Sequence, residues 1–111
     1  MLKSELQKFL QNGGATLNKN GEGVQFKSGY QVSKKDCYIL PVRFINKILT
    51  AVNDLLNDIG GGDFVGLWVD GGKVYIDISE RIKSLKKALR VGKARKQISV
   101  FCWSSGDCVY C

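Results

Sequence analysis

The chain has 111 residues, 44% of them hydrophobic and 24% charged, which suits one globular domain with a real core and little left over for a second. No apolar run reaches the roughly 18 residues of a membrane span. The absence of histidine removes the commonest general base and the Ser-His and Cys-His nucleophile pairs. The net charge of +7 is confined to one part of the chain: residues 1–80 hold nine basic and nine acidic side chains, residues 81–111 hold eight basic ones against Asp107 alone. Such a gradient implies a polyanionic partner, whether nucleic acid, nucleoprotein or an acidic protein surface.

The first predicted element is a short amphipathic helix in "MLKSELQKFLQ", with Leu6, Phe9 and Leu10 on one side, Ser4 as its cap and "NGG" at 12–14 as its stop. It lacks the unbroken apolar centre of a signal peptide, so a reducing cytoplasm is the expected compartment. "ATLN", "GVQF", "GYQVS" and "CYILPV" read as short extended pieces separated by Asn, Gly and Ser turns. A second helix starts at Pro41 or Val42, carries Ile45, Ile48, Leu49, Val52, Leu55, Leu56 and Ile59 at helical spacing, and ends at "GGG" 60–62.

"FVGLWVDGGKVYIDIS" predicts a β-hairpin turning at Gly71-Gly72, a pair that accepts positive φ. That turn sets the register: Val69/Val74, Leu67/Ile76 and Val65/Ile78 on an aliphatic face, Trp68/Tyr75, Gly66/Asp77 and Phe64/Ser79 on the other. A third helix follows, capped by Ser79 or Ser84, with Ile82, Leu85, Ala88 and Leu89 as its buried stripe. Gly92 lies next on that stripe, to allow close approach or to end the helix. "ISVFCW" and "CVYC" close the chain as strands around a "SSGD" turn. The order predicts a single α+β domain over 1–111, a mainly antiparallel sheet with about three helices packed on it.

The candidate chemistry is sparse. Cys37, Cys102, Cys108 and Cys111 number enough for a zinc site, but only 108 and 111 have C-x-x-C spacing, and on a strand their sulfurs point to opposite faces. Free thiols, no metal and no cofactor are expected. The glycine stretches match neither a P-loop nor a dinucleotide fingerprint. Asp77, beside Trp68 and Tyr75, forms a polar notch able to hold a cation or guanidinium; the plainer expectation is that it pairs with Arg81 or caps the turn before the third helix. Glu80 is expected as an exposed partner for a lysine one turn on.

With no assembled acid, base and nucleophile, a non-enzymatic role is expected. Lys83, Lys86, Lys87, Arg90, Lys93, Arg95 and Lys96 offer a basic surface for phosphates, with Trp103, Tyr110 or Trp68 available to stack on a base. The plainer reading of these residues is the solvated side of a helix, which the lack of interspersed acidic residues disfavours.

Trp68, Asp70, Gly72, Tyr75, Asp77 and Ser79, then Ala88, Gly92, Gln97, Ile98 and Phe101, follow a W-x-D-x-G hairpin, "YIDIS", A-x-x-x-G, "QISVF" order. In this the chain resembles a family of small proteins from phages, plasmids and conjugative elements. It departs at Cys102, where that family tends to carry an acidic residue. The resemblance implies an accessory or counter-defence protein that binds a host protein or nucleoprotein, an anti-CRISPR inhibitor of a CRISPR effector being its sharpest form. Direct nucleic-acid contact by the basic helix is the alternative, and a metal- or thiol-dependent enzyme a distant third.

Overall fold

The computed structural model describes residues 1–111. In chain order the elements are α1 (Lys3–Gln11), β1 (Gly14–Leu17), β2 (Tyr30–Pro41), α2 (Ile45–Asp58), β3 (Asp63–Asp70), β4 (Lys73–Ile82), α3 (Leu85–Ala94), β5 (Ser99–Cys102) and β6 (Cys108–Tyr110). The six strands form one antiparallel sheet in the order β1-β3-β4-β2-β5-β6. No helix is long and apolar enough to cross a membrane. The fold is the predicted α+β class.

The hairpin is the frame. Asp70 faces Lys73, Val69 faces Val74 and so on to Asp63 opposite Glu80, the register set by the Gly71-Gly72 turn. Both glycines have the positive φ that such a turn requires, +57° and +76°. Val65, Leu67, Val74 and Ile76 then join Leu6, Leu10, Ile48, Val52 and Leu56 in the larger core, beneath α1 and α2. Further along β4 the same face carries Ile82, which with Val32, Ala88 and Val100 makes a second, smaller core beneath α3. All three helices therefore cover one face of the sheet.

Local details correct the sequence reading. The cap of α1 is Leu2, whose backbone N–H donates to the Glu5 carboxylate at 3.0 Å, so Ser4 lies inside the helix. Pro41 ends a strand, and α2 begins four residues later after Phe44. "GYQVS" and "CYILPV" belong to one twelve-residue strand interrupted by two bulges. "GVQF" forms only an isolated bridge from Gly23 to Leu17. Ser84, not Ser79, caps α3, accepting from the Lys87 N–H, a contact that contributes about 1 kcal/mol at a helix start. Ile82 belongs to β4, and Leu85 is exposed rather than part of the buried stripe. What α3 buries is Ala88 and Gly92. At Gly92 a Cβ would come within 2.8 Å of Cys111 Sγ and 3.1 Å of Val100 Cγ1, so close approach is the reason for this glycine.

The loop at 18–29 is anchored at both ends. Lys19 donates to the carbonyls of Leu56, Asn57 and Ile59 at the C-terminus of α2, where a cation complements the helix dipole. Phe26 then reaches the helix-free side of the sheet and meets Phe64 and Trp103 edge-to-face, with centroids 5.7 and 5.4 Å apart.

Candidate functional site: two surfaces on opposite sides of the sheet

The basic surface lies on the outer side of α3 and its flanks. Lys83, Lys86, Lys87, Arg90, Lys93 and Lys96 are all exposed, and none is in an ion pair. Arg95 differs from the rest: it is half-buried, donates to Glu80 Oε2 at 2.8 Å and reaches the Ser33 carbonyl at 3.4 Å. It ties α3 to the sheet, and it is also the partner of Glu80, which is half-buried rather than an exposed surface acid. Lys96 ends the segment in a left-handed conformation at φ 60°.

Trp103 does not join this surface. It sits on the helix-free side, donating from Nε1 to Gln31 Oε1 at 3.0 Å and packing edge-to-face on Phe101 at 5.0 Å. A base bound at α3 has no tryptophan to stack on.

The helix-free side holds an open cleft of about 1050 Å³. That is as large as the biggest small-molecule sites, which run from about 300 to 1,000 Å³. The sequence-predicted notch of Asp77, Trp68 and Tyr75 lies within it. Two rows of side chains run across the strands here. One is apolar: Trp68 on β3, Tyr75 on β4 and Ile39 on β2, in register and all exposed, Trp68 to 62%. The next is Thr16, Gly66, Asp77 and Asp36. Gly66 has a reason to be glycine, since a Cβ there would collide with the Asp77 carboxylate.

Asp77 neither pairs with Arg81 nor caps a helix. Arg81 is drawn to the loop instead, donating to the Ser28 carbonyl at 3.0 and 2.8 Å and stacking over the Phe26 ring at 4.6 Å. Burial pushes the Asp77 carboxyl up from its ordinary range; the Ser33 hydroxyl opposes this, and the Asp36 charge adds to it. Asp36 is the residue that sequence reading missed. It accepts from Ser33 Oγ at 3.3 Å and stands directly across from Asp77.

The cysteines are dispersed. Cys108 lines the cleft, while Cys111 lies against Gly92 under α3, the opposite-face arrangement that strand alternation predicts. All four thiols are free. Burial pushes the Cys37 thiol up. Cys102 is held at about 7 by hydrogen bonds from the hydroxyls and backbone of Ser104 and Ser105.

The chain matches no protein-family model, and no curated protein or solved structure is detectably similar to it. The resemblance to mobile-element proteins therefore rests on the quoted motifs.

Proposed function

We propose that this protein acts by binding rather than catalysis, and that it engages a polyanionic host assembly through the outer side of α3. The observation that carries this reading is the set of six exposed cations at 83, 86, 87, 90, 93 and 96, with no acidic residue among them and no ion pair to absorb them. Solvated faces usually mix both signs. A one-sign stripe raises association rates with a polyanion and suits a surface rich in phosphate.

The partner is a nucleoprotein of the host, and the setting is counter-defence by a mobile element. An inhibitor of a CRISPR effector is the sharpest form of this reading, and the motif order of the hairpin and third helix supports it. Such a role needs a complementary surface and no reacting group. The second reading, bare RNA or DNA binding, uses the same cations. Because Trp103 does not accompany them, contact there would be chiefly with phosphates and indifferent to base sequence.

A pull-down from bacterial lysate, with and without nuclease, tests the choice. Under the leading reading a ribonucleoprotein is captured, and Lys86→Glu/Arg90→Glu/Lys93→Glu loses it. Under the second, free oligonucleotides bind with a steep salt dependence, and the same variant reduces the slope by about three, roughly one per phosphate contact. Capture that survives the triple reversal would overturn both.

A further inference from the structure

The helix-free cleft is electrostatically the inverse of the molecule that carries it. On a chain of net charge +7, no lysine or arginine lines the cleft, and Asp36 and Asp77 are its only carboxyl side chains. The two carboxylates are cross-strand neighbours on the same side of the sheet. Like charges directly opposite are destabilising. The ion pairs of the protein, Lys34 with Asp63 and Arg95 with Glu80, lie elsewhere and leave both carboxylates uncompensated.

The strand register makes this arrangement conspicuous. Ser33 pairs with Ser79, so an unbroken ladder would place Lys35 across from Asp77 and create a favourable pair. A bulge after Ser33 intervenes, Lys35 moves opposite Ile78, and Asp36 takes the place facing Asp77. A second bulge, between Asp36 and Tyr38, shifts the ladder again at once. Bulges re-aim side chains and are over-represented beside functional sites. Here they exchange a cation for an anion.

On that side of β4 the cations nearest Asp77 are Lys73 and Arg81, each four residues away and so roughly 13 Å along the strand. Arg81 is already committed to Ser28 and Phe26, and Lys73 lies across from Asp70 beside the hairpin turn. Gly66 lets the Asp77 carboxylate lie across β3, and the apolar row of Trp68, Tyr75 and Ile39 borders it.

We propose that this cleft receives an arginine side chain from a partner protein, its guanidinium held by Asp36 and Asp77 and its flanking chain lying along Trp68, Tyr75 and Ile39. The chemistry selects this occupant. Guanidinium is planar, weakly hydrated and rich in donors, so it can engage two carboxylates while stacking on a ring, which a hydrated lysine ammonium does less well. The protein already stacks one guanidinium on a ring, at Arg81 over Phe26. An exposed apolar row beside the charges suits an extended segment rather than a lone ion. This site is separate from the basic face of α3 and does not depend on its role.

The test uses a capped heptapeptide of alanine and glycine with one central arginine, and two analogues carrying citrulline or lysine instead. Binding is followed by tryptophan fluorescence and calorimetry. The arginine peptide should bind saturably, and the citrulline peptide, isosteric but neutral, at least roughly tenfold more weakly, the factor expected for losing a charge-assisted contact. Asp36→Asn/Asp77→Asn should lose the arginine peptide by the same factor with a melting temperature unchanged or raised, because it relieves a repulsion. An undiminished melting temperature separates a ligand site from a structural pair. Trp68→Ala supplies an independent variant should the double one misfold, and Lys86→Glu/Arg90→Glu/Lys93→Glu should bind the peptide normally. Equal binding of the arginine and citrulline peptides, or full binding by the asparagine variant, overturns the proposal. So does a concentration-dependent dimer that this variant dissolves, which would make a second copy the occupant.

Discussion

The two faces of the sheet are built from the same strands and obey different physics. On the helix-covered face, alternate residues of β3 and β4 are Val65, Leu67, Val74 and Ile76, each almost wholly removed from water under α1 and α2. On the other face the intervening residues are Trp68, Gly66, Tyr75 and Asp77, and only the loop bearing Phe26 reaches across at one end. One face is a conventional core, whose residues are explained by the area they bury. The other holds an exposed indole, an uncompensated carboxylate and a glycine that leaves room for it, none of which improves packing. Charge divides along the same line: free cations on the outside of α3, free carboxylates in the cleft behind it. A net charge summed over the chain conceals the second site entirely.

The contrast can be broken most forcefully from the core side. Ile48→Ala removes a fully buried side chain beneath α2 and should cost about 2–5 kcal/mol, read as a lower urea midpoint at unchanged slope. Gly92→Leu should cost about 1–3 kcal/mol by overpacking, because even a Cβ meets Cys111 and Val100; a loss near zero would mean that α3 rests on the sheet without close contact. A smaller effect comes from pH. The Cys102 thiol has its folded value lowered to about 7, so its contribution to stability is present in full above the ordinary thiol range and is lost as pH falls through about 7. Melting curves between pH 6 and pH 9.5 should show that increment in the native protein and not in Cys102→Ser. The smallest effect on stability belongs to the open face: Trp68→Ala should stay within about 0.5 kcal/mol, as surface changes do, while removing arginine-peptide binding. A large loss of stability there would erase the distinction between the two faces.

The sequence by itself determined the α+β class, the hairpin register down to the residue pairs, the stripe of α2 and the unbalanced charge of 81–96. These are local properties, carried by periodicity, by a glycine pair that permits positive φ and by simple counting. It also brought Asp77, Trp68 and Tyr75 together, since a two-residue turn fixes which side chains share a face. Only the tertiary structure decided the rest. Arg95 left the basic surface because the packing of α3 set it beside Glu80, and Trp103 left it because β5 turned it toward Gln31. Arg81 chose the distant Ser28 over nearby Asp77 because a loop with no period of its own folded back on it. Asp36 was invisible in the sequence for a similar reason. Its place opposite Asp77 depends on a one-residue bulge, and a bulge moves every later side chain without leaving a mark in the hydrophobic pattern.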